Sequence, residues 1–292
     1  MYNQITSNKR KSIFIMVLFI IIIIALGWVF GKISGYGYEA LIFAIIISAI
    51  MSLFSYFQGD KVALWTAGAK ALEKNDNPYV YRMVENLCIA DGLPLPKIYL
   101  IHDSSPNAFA CGRDPKHASI ALTTGIVEKL ENEELEGVIA HELSHIKNYD
   151  IRLMTIVIVL VGVIMLLSDW LLRSFWFKGR DDNKGQLGLI LFIIGIILAI
   201  LSPLIAQLIQ LAVSRKREFL ADASAAFLTR YPEGLAKALE KISQYKQPLQ
   251  KANRATAHLY FSNPFSEKKN RLTKFFSTHP PIEDRIKSLR EM

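Results

Sequence analysis

The sequence predicts a mainly α-helical membrane protein, with about four transmembrane or membrane-embedded helices and an α+β domain that contains a small sheet. Three observations support this fold class. Apolar residues make up 51% of the 292-residue chain, and its mean hydropathy is positive. Four long uncharged segments recur along the chain. The stretch between the second and the third has the composition of a soluble domain, so the chain combines membrane helices with a folded domain.

The first two apolar segments, residues 12–31 and 40–57, contain no charged residue. Each is close to the roughly 20 residues that a helix needs to cross the hydrocarbon core of a bilayer. A brief Gly-containing turn separates them, and the first lacks the short apolar centre and small-residue cleavage site of a secretory signal. Residues 1–57 are therefore predicted to form a transmembrane hairpin.

Two further apolar segments, residues 153–168 and 187–213, predict a second membrane hairpin over residues 151–213. The first of them is shorter and is followed by Asp169. The second contains a proline and two glutamines near its end, which indicates a face turned toward protein or water. Both segments are predicted to lie in the bilayer.

Basic residues at the ends of these segments predict the orientation. Lys and Arg occupy positions 9–11 before the first segment and 215–217 after the fourth. Since cytoplasmic flanks carry an excess of Lys and Arg, both flanks and residues 58–150 are predicted to face the cytoplasm. Basic residues between 178 and 184 oppose this orientation in part. The net charge of +8 fits contact with a lipid bilayer, and no basic stripe with interleaved aromatic residues indicates nucleic acid binding.

Residues 58–150 are predicted to form the first part of a cytosolic catalytic domain, and residues 214–292 a second, mainly helical part. Short apolar stretches near turn-prone residues indicate strands in the first part, and apolar residues at helical spacing indicate its helices. A proline pair begins the last helix of the second part. In chain order, the predicted elements are a helix at 77–88, strands at 97–101, 107–110 and 118–123, and helices from about 132 and from 280.

Residues 133–147 read EELEGVIAHELSHIK and carry the clearest chemical signal in the chain. Their apolar residues recur at helical spacing, so His141 and His145 lie one turn apart on one face, where two imidazoles can bind one metal ion. Glu142 lies beside this pair, within reach of a water at the metal without being a ligand. Such a set suits zinc, with Glu142 as general base for amide hydrolysis. The competing interpretation is an HExxH pattern that arises by chance on an amphipathic helix.

A catalytic zinc site needs one further protein ligand. Residues 215–226 read RKREFLADASAA and follow the fourth apolar segment, so they return to the same side of the membrane. Glu218 is the predicted third ligand. Asp222, one helical turn later, is predicted to accept a hydrogen bond from the free ring nitrogen of His141 or His145. Without the HExxH motif, this acid pair would be interpreted as a solvated helix face.

HELSH at 141–145, followed by an apolar pair of segments and REFLADASA at 217–225, resembles the HtpX family of bacterial membrane zinc endopeptidases, relatives of the CAAX prenyl proteases. NAFACGR at 107–113 and THPPIEDR at 278–285 extend the resemblance over nearly the whole chain. It implies a zincin-like catalytic domain of the gluzincin type with one Zn²⁺ per chain. It further implies a multi-pass protein of the bacterial inner membrane, whose active site faces the cytoplasm. The implied substrates are polypeptides, chiefly misfolded or damaged membrane proteins, in quality control and stress response.

The resemblance also implies site residues outside these motifs. His279 and Arg285 match a His and an Arg that the family places near its active site, where they could donate hydrogen bonds to the developing oxyanion. A Pro-rich helix start is the alternative interpretation of both. One short segment resembles the family's substrate-binding edge, where a peptide could pair as an added strand, although ordinary strand residues would look the same. This segment comprises Asn107, Ala108, Phe109 and Ala110.

The alternative function is a catalytically inactive membrane scaffold that retains the zincin fold and binds partner proteins. The intact HExxH motif favours the enzyme. Metal analysis together with a proteolysis assay separates these two hypotheses.

Overall fold

Two long helices, α1 (Tyr2–Ser34) and α2 (Tyr38–Ala67), form a hairpin at the start of the chain. Both have the length and hydropathy of a membrane span, and within the described residues they are the two helices that do. The two helices approach each other closely at Gly27, where an added Cβ would collide with the Cβ of Ala44. The absence of a side chain at Gly27 allows this approach. The computed structural model describes residues 2–34, 36–177, 193, 215–245, 247–249, 259–262 and 280–292.

Helix α6 (Asp150–Phe177) packs against this hairpin. Leu153, Val157 and Leu160 are buried in one apolar cluster with Phe19 of α1. The third apolar segment of the sequence is therefore helical, and its first half is covered by protein. The fourth segment, 187–213, lies outside the described residues except for one position. The described residues thus contain two candidate membrane helices, and the number of about four for the whole chain remains a prediction.

A small mixed sheet follows the hairpin. Its strands are β1 (Ala69–Ala71), β2 (Lys97–Ile101), β3 (Ala108–Gly112) and β4 (Ala118–Thr123). β1 pairs antiparallel with β2, β2 parallel with β4, and β4 antiparallel with β3, which gives the order β1-β2-β4-β3. The three longer strands match the predicted ones. β1 was not predicted, because three residues are too few to show an alternating pattern.

The described part of the chain contains further helices, which pack against the sheet or against one another. They are α3 (Pro78–Asp91), α4 (Thr124–Lys129), α5 (Asn132–Lys147), α7 (Arg215–Thr229), α8 (Pro232–Gln244) and α9 (Ile282–Arg290). Helix α5 lies between β3 on one side and α7 and α8 on the other. Its residues are buried almost all round, not only on the apolar face that the sequence shows. At Gly137 a Cβ would lie 3.0 Å from the backbone of Leu235, so the glycine allows α8 to approach.

Helix α6 and the sheet share a direct contact. The hydroxyl of Thr155 in α6 accepts a hydrogen bond from the amide of Gly112 in β3 at 3.0 Å. Helix α9 begins after Pro281, at the place that the proline pair predicts, and packs against α7 and α8. The division of the chain at residues 57, 150 and 213 stays a prediction.

Candidate metal centre

Helix α5 brings its two histidines together in the protein interior. The Nε2 atoms of His141 and His145 are 3.1 Å apart, and both side chains are buried. Their rings lie nearly perpendicular, with centroids 4.8 Å apart. One helical turn separates the two residues, so their side chains extend from the same face. The predicted pair is therefore formed by local helix geometry.

Helix α7 supplies a carboxylate to this pair. Oε2 of Glu218 lies 3.8 Å from Nε2 of His141, and Oε1 lies 3.6 Å from Nε2 of His145. Glu218 is completely buried. The ligand atoms of the three residues lie within 4.8 Å of one another. Neighbouring ligands of a tetrahedral zinc ion, with bonds of about 2.0–2.2 Å, are about 3.3 Å apart. Two imidazole nitrogens and one carboxylate at these separations fit such an ion.

The other ring nitrogen of His141 contacts Asp222 on α7. Nδ1 of His141 lies 2.9 Å from Oδ1 of Asp222. Arg285 of α9 holds the same carboxylate with two hydrogen bonds, from Nε at 2.9 Å and from Nη2 at 2.7 Å. Burial raises the pKa of Asp222, but the Arg285 guanidinium and His141 outweigh burial and keep the pKa below its usual range. An ionised Asp222 accepts a hydrogen bond from the Nδ1–H of His141. The proton is then on Nδ1, and the Nε2 lone pair is free for a metal.

The other ring nitrogen of His145 contacts a residue that sequence reasoning missed. Nδ1 of His145 lies 3.1 Å from Oδ2 of Asp150, the first residue of α6. Oδ1 of Asp150 accepts hydrogen bonds from Nδ2 of Asn8 at 2.6 Å and from Nη1 of Arg217 at 3.0 Å. One signal was available in the sequence: Asp150 is an acidic residue five positions after His145, at the edge of an apolar segment.

The two imidazoles have opposite electrostatic surroundings. Burial lowers the pKa of His141 to about 4, because Asp222 compensates only in part and Arg285 adds to the decrease. Burial also lowers the pKa of His145, but Asp150, Glu218 and Glu142 outweigh it and raise the pKa to about 9. The three carboxylates that raise the pKa of His145 would also stabilise a bound cation.

Glu142 lies beside the pair and is also buried. Burial raises its pKa to about 7, with a further increase from Glu218, while His145, Arg285 and the amide of Ala110 oppose the change. A carboxyl group that titrates near neutral pH can both accept and release a proton. The role of Glu142 as general base stays a prediction, with which its raised pKa is compatible.

The predicted substrate edge is the outer side of β3, and part of it is already paired. The amide of Phe261 donates to the carbonyl of Ala108 at 2.8 Å. The Asn107 side chain exchanges two hydrogen bonds with the backbone of Ser262, at 3.0 Å and 3.2 Å. The whole segment, including Phe109 and Ala110, is buried. The segment Leu259–Ser262 therefore lies along the β3 edge. A substrate-binding role for residues 107–110 stays a prediction.

The two predicted oxyanion donors are Arg285 and His279. Arg285 is 1% exposed, and its Nη1 lies 3.8 Å from Oε2 of Glu218, so it does reach the metal cluster. Its ring neighbour is Phe261, whose ring also lies 5.0 Å from that of His141. His279 lies outside the described residues. The roles of both in catalysis stay predictions.

Comparisons with known proteins identify the family of this chain. The model of peptidase family M48 matches residues 74–292. A protein named protease HtpX homolog from Caldanaerobacter subterraneus is 44% identical over 296 residues, which covers 100% of this chain and 98% of that protein. A protein of the same name from Dictyoglomus turgidum is 46% identical over 291 residues, with 100% and 94% covered.

One solved structure shares the fold. The crystal structure of S. mikatae Ste24p superposes with a TM-score of 0.51 at 20% identity, and the match covers 99% of this chain and 67% of that one. A likeness at this identity supports the fold alone. The family model and the full-length relatives decide the rest: the chain belongs to peptidase family M48, it is an HtpX-type metalloprotease, and the resemblance seen in its motifs is confirmed.

Proposed function

We propose that the protein is a membrane-bound, zinc-dependent endopeptidase that hydrolyses peptide bonds of misfolded or damaged membrane proteins. One observation carries the proposal. Two buried imidazole nitrogens and the Glu218 carboxylate converge within 4.8 Å, and Glu142 is buried beside them. A catalytic zinc ion uses such a set of three protein ligands and keeps one position open for water or substrate.

Zinc is the metal that this donor set favours. Nitrogen from two neutral imidazoles and oxygen from one carboxylate form the His₂Glu set found in catalytic zinc sites. Each imidazole is held by a carboxylate at Nδ1, which fixes the tautomer that presents Nε2. When bound, zinc supplies Lewis acidity, which polarises the scissile carbonyl and makes water more acidic.

Glu142 is the proposed general base. Its carboxylate takes a proton from the attacking water and passes it to the leaving amine as the peptide bond breaks. The raised pKa of about 7 suits both transfers, and the positive charge of a nearby cation keeps the group ionised before reaction. His141, His145 and Glu218 are proposed as the metal ligands, and Asp222 as the group that orients His141.

Arg285 and His279 are proposed to stabilise negative charge on the carbonyl oxygen. The closeness of the Arg285 guanidinium to Glu218 supports this role for the arginine. The substrate is proposed to extend the sheet along β3 near Ala110, whose amide contacts Glu142. At Ala108 a substrate strand would have to displace Phe261, because the Phe261 amide already uses the outward carbonyl.

The proposed location is the inner membrane of a bacterium, with several membrane crossings and the active site on the cytoplasmic side. Helices α1 and α2 support membrane insertion by their length and hydropathy. The basic residues before the first span and at the start of α7 support a cytoplasmic site.

The test is cleavage of a membrane protein substrate by the purified full-length chain. The wild type should contain one zinc ion per chain and cleave, and chelation should abolish cleavage until zinc is restored. Expression of Glu142→Gln in membranes should trap uncleaved substrates, which identifies them. A wild type that folds but neither binds zinc nor cleaves would favour the inactive scaffold instead.

A further inference from the structure

A polar side chain of α1 contacts Asp150, the residue that holds His145 of the candidate metal centre. Asn8 lies in α1, near its start, and is 2% exposed. Its Nδ2 donates to Oδ1 of Asp150 at 2.6 Å and to the carbonyl of Asn148 at 2.9 Å. Both neighbours can only accept at these atoms, so the amide nitrogen, and not the oxygen, must face them. The two hydrogens of the Asn8 amide thus bind acceptors on Asn148 and Asp150, which are only two positions apart.

That stretch is the turn that joins the helix of the metal motif to α6. Asn148 ends α5, and Asp150 begins α6. Tyr149 between them has a φ of 60°, a left-handed conformation that is unfavourable for a residue with a Cβ. Such a conformation persists only where neighbouring contacts hold it. Asn8 grips the residues on both sides of Tyr149, and Lys9 lies over the Tyr149 ring at 4.5 Å.

The Asp150 carboxylate transmits this contact to a metal ligand. Oδ2 faces Nδ1 of His145, while Oδ1 is held by Asn8 and by Arg217. A carboxylate held at one oxygen cannot rotate freely, so its other oxygen has a fixed place. The direction of the His145 ring, and thus of its Nε2 lone pair, follows from that place.

We propose that Asn8 is a positioning residue for the metal site, which acts on His145 through Asp150. The first membrane helix is then part of the catalytic unit as well as an anchor. This inference rests on the proposed function, since it concerns the same zinc site. It assigns no chemical step to Asn8, whose contribution is the orientation of a ligand and therefore the affinity and geometry of the bound ion.

The experiment measures metal binding by the full-length protein in detergent. Asn8→Leu keeps the branched shape and the number of side-chain heavy atoms of asparagine, and leucine donates no hydrogen bond. Changes of groups that orient metal ligands typically weaken metal binding by about 10-fold to 100-fold, and we expect about 10-fold for Asn8→Leu by competition with a zinc chelator. Substitution with Co²⁺ should show an altered visible spectrum, which reports ligand geometry. Ser12→Ala is the matched control: its buried hydroxyl, one turn further along α1, donates to the Asn8 carbonyl, and its removal should leave both measurements unchanged.

A double-mutant cycle decides whether the effect passes through Asp150. In an Asp150→Ala background, Asn8→Leu should weaken zinc binding no further, because the connecting carboxylate is gone. Wild-type zinc affinity and a wild-type cobalt spectrum in Asn8→Leu would overturn the proposal, as would a loss that adds fully to that of Asp150→Ala. If the leucine variant does not fold, Asn8→Ala removes the same donor without adding atoms and answers the same question. A wild type that binds no zinc would instead overturn the proposed function.

Discussion

His141 and His145 are the same residue type on the same helix, one turn apart, yet the protein supports them in different ways. His141 is held by Asp222 and Arg285, which belong to the C-terminal helices α7 and α9. His145 is held by Asp150, the first residue of α6. The pKa is lowered to about 4 in the first case and raised to about 9 in the second.

The difference shows that a short motif brings two candidate ligands together but does not determine the surroundings of either. The carboxylate beside His141 is neutralised by two hydrogen bonds from one arginine, so little negative charge is left for the imidazole. His145 faces three carboxylates, those of Asp150, Glu218 and Glu142. Asp150 is itself paired with Arg217, so the raised pKa of His145 depends on all three carboxylates together.

The largest effect is expected from removal of the group that both imidazoles share. Glu218→Ala should leave the full-length protein with little or no bound zinc by elemental analysis, because two ligands alone do not hold a catalytic zinc ion. Glu133→Ala, which removes an exposed acid at the start of α5, should retain the metal. Stoichiometric zinc in the Glu218 variant would mean that the third ligand lies elsewhere.

Next in size is the loss of the proton acceptor with both imidazoles intact. Glu142→Gln should lower turnover of a membrane substrate by about a hundredfold or more, since the amide keeps the shape of the side chain but cannot accept the proton. Zinc content and melting temperature should match those of the wild type. Equal cleavage by two zinc-loaded preparations would remove Glu142 from its role.

The comparison itself is tested by changing one supporting carboxylate at a time. Asp222→Asn and Asp150→Asn should each weaken zinc binding by about 10-fold to 100-fold, because each loosens one imidazole. Arg285→Lys should act mainly through Asp222, since lysine keeps the charge but loses the paired hydrogen bonds to that carboxylate. If Arg285→Lys weakens binding as much in an Asp222→Asn background as in the wild type, the arginine does not act through Asp222.

A smaller effect is expected in the pH dependence of the metal-free protein. The raised pKa of His145 stabilises the folded state fully below about pH 6.5, and this contribution is lost as pH rises through about 9. The lowered pKa of His141 works in the opposite direction: its contribution is full above about pH 6.5 and is lost as pH falls through about 4. Thermal unfolding after chelation should therefore depend less on alkaline pH in His145→Asn and less on acidic pH in His141→Asn. Identical profiles for both variants would contradict the assigned asymmetry.

Topology is the last test, because it asks whether the His145 support really lies at a cytoplasmic membrane boundary. A tag placed near Lys184 should react with an impermeant reagent from outside intact cells, while a tag at the N-terminus should react only after permeabilisation. Reaction at Lys184 only after permeabilisation would mean that the segments after Asp150 enter the bilayer without crossing it.

The sequence alone determined the features that depend on spacing within one element. The apolar segments predicted α1, α2 and the helical course of α6, and HExxH placed His141, Glu142 and His145 on one helix. Glu218 and Asp222 followed from a second helix, one turn apart. Such patterns repeat with the period of the helix, so they can be read locally.

Only the tertiary structure decided which carboxylate contacts each histidine: Asp222 contacts His141, and Asp150 contacts His145. The bond between Asn8 and Asp150 joins residues 142 positions apart, and that between Arg285 and Asp222 joins residues 63 apart. The burial of α5 on all sides and the pairing of Phe261 with the β3 edge are also products of packing between elements. No local period encodes these contacts, because they depend on how whole helices and strands meet when the core is closed.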